Sequence, residues 1–298
     1  MIRNISKLAC LSLLLLLASC IKEGYDRDNC PGEYTITPLT PDELSEGAVE
    51  MTGAKVTLVN SATGEKQDVT VGSDTPIDLE DGTYTVVAVK GTENENVTVD
   101  GKTVSVTTKP DGTANDIPED LAGGYTDITV SDSPTDQGNI NFNVPTHVQS
   151  RPLTVKLTFE GENTALIESI GGMVDGIALS RDLNNGFVPT DGQPRHPATT
   201  AGSINYSFTK DAEGNLYTDS HRLLGIDGDD TQTLTLTVNY AGGVQKTYTF
   251  DVTQKMDGFH TTDVLNPWVI EITLRLGADF TATIEDWASG PESWMDAH

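Results

Sequence analysis

The chain has 298 residues, 36% hydrophobic and only 6% aromatic, and its 45 acidic residues against 18 basic ones give a formal charge of −27. A field of that sign and size repels nucleic acid and anionic membrane surfaces, which argues against a nucleic-acid function. The length suggests two domains of roughly 100–150 residues each.

The first segment sets the compartment. Met1 to Lys7 carries Arg3 and Lys7, and an apolar run interrupted only by Ser12 follows from Leu8 to Ala18, with Leu13 to Leu17 all leucine. That run is too short to span a bilayer, which takes roughly 20 residues. A basic start, a short apolar core and small residues at its end make a secretory signal. Leu17-Ala18-Ser19-Cys20 resembles the lipobox of bacterial lipoproteins, an apolar residue and small residues before a cysteine. The resemblance implies cleavage after Ser19 and acylation of Cys20, with palmitate among the acyl chains. A multiply acylated residue is a stable membrane anchor, whereas one chain binds reversibly. Ile21 stands where an aspartate would signal inner-membrane retention. Lys22-Glu23-Gly24-Tyr25-Asp26-Arg27-Asp28 resembles the acidic export tags of surface lipoproteins in Bacteroidetes, and a plain solvated tether would read the same way.

Loss of residues 1–19 would remove Arg3 and Lys7 and no acid, so the mature chain is more acidic still. Of the three cysteines, Cys10 leaves with the signal and Cys20 is acylated. Cys30 remains alone, which leaves no internal disulfide in a mature monomer.

Beyond the tether, at residues 20–50, the chain reads as strands. Val56 and Leu58 share one face of the run Ala54–Asn60, with Thr57 and Val59 on the other. Thr83 to Lys90 is launched by an Asp81-Gly82 turn. Val97–Asp100 and Thr103–Thr107 form a hairpin around Asp100-Gly101. Tyr125–Val130 and Asn139–Val144 follow. Pro145 and Pro152 then bracket a junction, because proline interrupts ladder hydrogen bonding. Leu153, Val155, Leu157 and Phe159 alternate with Thr154, Lys156 and Thr158, a half-buried strand. Glu162 to Ile170 is the one short helix candidate. Met173–Leu179 and Ile204–Phe208 look extended. Thr231–Tyr240, the Ala241-Gly242-Gly243 turn and Val244–Val252 make a second hairpin, in which Leu234, Leu236 and Val238 can meet Tyr248, Phe250 and Val252. Trp268–Leu276 and Phe280–Trp287 are the last strands. The expected organisation is two tandem β-sandwich domains, residues 51–148 and 149–288, and a polar tail at 289–298.

Several features together resemble the fimbrial anchor and subunit lipoproteins of Bacteroidales. They are Cys20-Ile21-Lys22-Glu23 with Asn29-Cys30-Pro31, the junction from Val144-Pro145 to Arg151-Pro152-Leu153, and Glu168-Ser169-Ile170-Gly171-Gly172. Leu223-Leu224-Gly225-Ile226, the hairpin from Thr231 to Val252, and the ending Phe280 to Asp286-Trp287 complete the set. The resemblance covers most of the chain, best from residue 140 to 287. It implies an all-β fold of two transthyretin-like sandwiches, an outer-membrane, surface-exposed location, and a place in a fimbrium as anchor, tip or accessory subunit. It also implies partners: other fimbrial subunits bound by β-strand complementation, the membrane through the lipid, and a host or bacterial surface ligand.

No catalytic, cofactor-binding or metal-binding set stands out. His147, His196, His221, His260 and His298 are scattered, and His221 and His260 read as surface or loop residues. Asp227-Gly228-Asp229-Asp230 is an acidic turn in which weak calcium binding competes with the simpler hairpin reading. Neither a Gly-x-Ser-x-Gly elbow nor a phosphate loop is present. A glycan-binding lipoprotein of a polysaccharide-uptake system is the alternative function. It would need exposed aromatic platforms, and Trp268 and Trp287 sit at strand positions that suit a core, while Trp294 lies in the tail.

Overall fold

Alternating threonine and valine runs become strands because each exposes one face and buries the other. The computed structural model describes residues 34–40, 49–70, 77, 79–93, 95–130, 140–184, 200–212, 214, 216–227, 231–260 and 264–291. Through the first half run β1 (Tyr34–Pro38), β2 (Lys55–Asn60), β3 (Lys66–Thr70), β4 (Gly82–Lys90), β5 (Val97–Asp100), β6 (Thr103–Val106), β7 (Ala122–Val130), β8 (Ile140–Val144) and β9 (His147–Val148). The second half carries β10 (Arg151–Gly161), β11 (Ile167–Asp182), β12 (Thr200–Ser207), β13 (Thr209–Lys210), β14 (Leu216–Leu223), β15 (Thr233–Tyr240), β16 (Val244–Asp251), β17 (Trp268–Leu276) and β18 (Ala282–Pro291). Its one α-helix among the described residues is α1 (Thr253–Met256).

These strands form an all-β sandwich architecture. One sheet runs β3-β2-β4-β7-β9 and is antiparallel throughout. A parallel pair, β1 and β8, covers one of its faces. Tyr34, Val56, Leu58, Val86, Ile128 and Val144 are buried between them, and Tyr34 stacks on Phe142 with centroids 5.7 Å apart. In the second half, β13-β14-β10-β17-β18 faces β16-β15-β11, to which β12 also pairs. Leu153, Val155 and Leu157 from the first of these sheets meet Leu234, Leu236 and Val238 from the second in one core.

The halves are joined by a shared sheet. The β5–β6 hairpin lies over the second face of the first-half sheet, where Val97, Val104 and Val106 join Val87 and Val89 in the large core. Its β6 strand pairs antiparallel with β11, placing Val104 opposite Arg181 and Thr103 opposite Asp182. The six-stranded sheet therefore draws on residues from both sides of the proline-bracketed junction. That junction is itself buried. Gln149 is fully covered, and its amide donates to the carbonyls of Gly123 at 3.0 Å and Leu183 at 2.6 Å. The neighbouring Arg151 donates from Nη1 to the Phe259 carbonyl at 2.6 Å and from Nε to that of Asn266 at 2.9 Å, with the Trp268 ring 5.1 Å away.

The structure corrects three local expectations. Glu162–Ile170 is not a helix: a single 3₁₀ turn, Thr164–Leu166, leads into β11. Pairing of Ile167 with Tyr240 and of Ile170 with Val238 recruits these residues to the sheet, and long-range pairing outweighs local propensity. The first hairpin turns at Gly101-Lys102, with Asp100 opposite Thr103. Gly101, at φ 56°, takes the left-handed position that such a two-residue turn requires. The last strand starts at Ala282 because Phe280 occupies a turn at φ 61°, closed by a Gly277 N–H to Thr281 carbonyl bond of 2.9 Å. The second hairpin turns where expected, with Leu234 opposite Phe250 and Leu236 opposite Tyr248, but Val238 meets Lys246 and Val252 lies beyond the paired strands, bonded to the Gln232 carbonyl at 2.9 Å.

Candidate assembly surface

A protein built from sheets offers partners its faces and its strand edges. An unpaired edge strand offers a row of N–H and C=O groups to a partner strand. Among the described residues the longer sheets end at β3, β9, β13, β18, β16 and β5, while β12, which pairs with β11 alone, and the two strands of the β1–β8 pair are edges as well. Several of these edges carry features that discourage pairing. β18 has a register shift opposite Thr273 and Leu274, the acids Glu285 and Asp286, and a terminal Pro291. Lys246 and Asp251 stand on β16, and Lys66 and Asp68 on β3. β5 carries no charge before Asp100.

β5 also borders a step between two layers. The six-stranded sheet stops at β5, while the sheet beneath it continues past β4 through β2 and β3. Among the described residues the step forms a cleft of about 440 Å³, floored by Val59, Val87 and Val89 and walled by Val97 and Val99. In the β5–β6 register Asp100–Thr103 and Thr98–Ser105 are the hydrogen-bonded pairs, and the Thr107 N–H to Asn96 carbonyl bond of 2.8 Å continues the alternation. The backbone groups of Val97 and Val99 consequently point away from β6, toward the open step.

Charge marks both ends of the cleft. Lys55 lies opposite Thr70 and Lys66 opposite Val59, so the two ammonium groups leave the sheet four residues apart, about 13 Å along the strand. Each is exposed and has a carboxylate neighbour, Asp68 at 3.2 Å from Lys55 and Asp100 at 3.3 Å from Lys66. The Thr57 hydroxyl donates to Asp68 at 2.7 Å and, with Lys55, holds its carboxyl below the ordinary range. On the far side of the hairpin turn Lys102 pairs with Asp127 at 3.0 Å and lies over the Tyr125 ring. The β5–β6 turn is thus tied to β3 on one side and to β7 on the other.

The residues singled out from sequence are dispersed. Cys20, Cys30, His196, Trp294, His298 and Gly228 to Asp230 lie outside the described residues. Asp227 is described, and its carbonyl accepts from the Gln232 amide at 2.6 Å. No group of three metal-ligating side chains occurs among the described residues. His260 is buried, not on the surface, and its Nε2 accepts from the Ile226 N–H at 3.1 Å. His221 is also not a loop residue. It sits within β14, where its ring nitrogens lie 2.5 Å from Asp116 and 3.1 Å from Asp219. The two carboxylates bind opposite edges of the ring, which makes a structural bridge. Trp268 is in the core and donates from its indole N–H to the Lys255 carbonyl at 2.9 Å, while Trp287 is partly buried beneath the Lys255 ammonium. Neither is an open platform for a sugar. Sequence reading missed the step beside β5 because it depends on which strands stack, although the Asp100-Gly101 signal located the hairpin that forms it.

No curated protein matches the chain significantly. Among solved structures it is similar to the fimbrial anchor protein Mfa2 from Porphyromonas gingivalis, at 13% identity and TM-score 0.59, over 88% of this chain and 98% of that one. Two candidate adhesins from Bacteroides ovatus share the fold. One aligns at 12% identity and TM-score 0.58 over 91% of this chain and 96% of the other. The second aligns at 12% identity and TM-score 0.56 over 88% and 96%. The family model for fimbrillin-A associated anchor proteins Mfa1 and Mfa2 matches residues 54–289, which takes in both halves and their shared sheet. The chain belongs to this family of fimbrial anchor proteins.

Proposed function

We propose that this chain is a surface-exposed outer-membrane lipoprotein, held by acyl groups on Cys20, that serves as a component of a fimbrium in adhesion. The family match over residues 54–289 carries the fimbrial part of this reading. Leu17-Ala18-Ser19-Cys20 supplies the anchoring part, since a thiol after small residues suits lipid transfer and cleavage. The chain from Cys20 enters the fold at β1, so a lipid at that point would tether the sandwich through the acidic segment at residues 22–28. Other subunits engage the protein by strand pairing along a free sheet edge, a mode in which backbone groups give affinity and alternate side chains give specificity. The role is structural and requires no catalysis.

Replacing Cys20 tests the anchor. In cells fed radioactive palmitate, the wild-type protein takes up label and sediments with the outer membrane, whereas Cys20→Ala takes up none and either is released or keeps its leader. Label on the Cys20→Ala protein would contradict the reading.

A further inference from the structure

We propose that β1 is a shear clasp, which takes up tension between an anchor at Cys20 and the second half and yields before the sandwich behind it. The topology sets the loading. β1 pairs in parallel with β8, Tyr34 opposite Ile140 and Pro38 opposite Val144. From Val144 the chain passes directly through β9 into β10 and the second half. Tyr34, where the chain from Cys20 arrives, therefore lies at the end of the pair remote from that exit. A pull on Tyr34 draws β1 toward its N-terminus, while the second half draws β8 toward its C-terminus. The two strands are loaded along their axes in opposite directions, and the whole row of hydrogen bonds meets the force together. In an antiparallel pair Tyr34 would stand beside Val144, and the bonds would peel open one at a time.

The contacts suit that load. Alternate residues of a parallel strand bond to its neighbour, and the 2.8 Å bond from the Leu39 N–H to the Val144 carbonyl fixes the phase. Thr35 and Thr37 thus turn their N–H groups to β8, and Pro38, which has none, falls where none is needed. The Thr146 hydroxyl closes the row on the Leu39 carbonyl. On the exposed side the Thr35 and Thr37 hydroxyls both donate to Asn141 Oδ1, at 3.2 and 2.9 Å. On the other side Tyr34 is buried and stacks on Phe142, and its carbonyl accepts from the Ile77 N–H at 3.1 Å. Among the described residues β8 is the one strand of a sheet that pairs with β1, whereas β2, β4, β10, β11 and β17 each lie between two neighbours. β1 consequently gives way first, and its release adds chain between lipid and sandwich instead of passing the peak load to the acyl groups.

The test holds the full mature chain at constant force between two handles. One is coupled to the Cys20 thiol in place of the acyl groups, with Cys30→Ser, and the other to the exposed turn at Ala241→Cys. The first step should lengthen the chain by about 40–60 Å, the span of residues 34–50 at ~3.5 Å per residue less their folded length. Thr37→Pro removes one N–H from the row and should shorten the lifetime of the clasp about fivefold. Asn141→Ala, which leaves the backbone whole, should shorten it about twofold. Moving the first handle to the exposed Thr40→Cys, with Cys20→Ser, brings the tension in beside Val144. The lifetime should then fall by more than about tenfold, because the bonds part in turn. Equal lifetimes for the two handle positions, no effect of either β1–β8 variant, or a larger first step that opens the sandwich ahead of β1 would overturn the clasp. The inference rests on the reading of Cys20 as the anchor, but the two fail separately. Acyl label on Cys20 together with equal lifetimes for the two handles removes the clasp alone, while a Cys20 without label removes the tension that the clasp is proposed to carry.

Discussion

Arg222 on β14 places Nη1 2.7 Å from the Asp120 carboxylate, in the segment that leads into β7, and so ties the two halves of the molecule together. His221 beside it reaches Asp116 in the same segment. Burial lowers the pKa of the Arg222 guanidinium and Asp120 opposes that shift. Removing the carboxylate leaves a largely covered cation without its counter-charge. Asp120 is half exposed, so water recovers part of the loss, and Asp120→Ala should destabilise the protein by about 1–2 kcal/mol. Asp100→Ala, which breaks the exposed pair with Lys66, should cost under about 0.5 kcal/mol. Urea midpoints of the two variants give the comparison.

Val104 is fully buried between the first-half sheet and the six-stranded sheet. Val104→Ala removes two methyl groups from that shared core and should cost about 1.5–3 kcal/mol. The described tryptophans, Trp268 and Trp287, both lie in the second half. A shift of the tryptophan fluorescence transition in Val104→Ala, equal to the shift seen by far-ultraviolet circular dichroism, is expected if the halves unfold together. An unmoved fluorescence transition would show that they do not.

Asp127 accepts from the Thr85 hydroxyl at 2.6 Å and from Lys102, and these bonds hold its pKa below the ordinary 3.8. A carboxyl with a lowered folded-state pKa contributes stability above its unfolded value and loses it as pH falls through the folded value. Thr85→Val should raise the Asp127 pKa back toward 3.8 and narrow that acid-side window. Carboxyl carbon chemical shifts followed between pH 2 and 6 report both changes, in a range set by the ordinary carboxylate value.

Gly91 closes β4 at φ 90°, and a Cβ there would sit 2.3 Å from the Asp120 carbonyl oxygen. The left-handed backbone and the collision act together, so Gly91→Ala should cost about 3 kcal/mol or more. Gly112, at φ 87° with open space around it, provides the control. Its alanine variant should lose only about 1–2 kcal/mol, the conformational part alone. Thermal melts of the two variants would separate strain from crowding.

Alternation made most strands legible. Val56 and Leu58, the Leu153–Phe159 run and the β15–β16 hairpin point as their sequence pattern requires, because a period of two fixes the buried face. The register of β6 against β11 was not legible, since nothing local in Thr103-Val104-Ser105 names a partner that lies beyond the junction. The burial of His260 and the His221 bridge were hidden for the same reason: each depends on residues distant in sequence, Ile226 for one and Asp116 for the other. Ile167 and Ile170 misled in a different way. Their three-residue spacing suits a helix face, but their pairing with Tyr240 and Val238 makes a strand. The step beside β5 follows from stacking of sheets, which no single segment encodes.

The role of the protein is tested most directly by shearing native fibres from the cell surface, purifying them, and probing for this chain. A fimbrial component should co-purify with the fibres at a constant ratio to the main subunit through successive density gradients, and should be retained with the outer membrane when Cys20 is intact. Fibres of normal length and number that contain none of this chain, from cells that express it on their surface, would contradict the account.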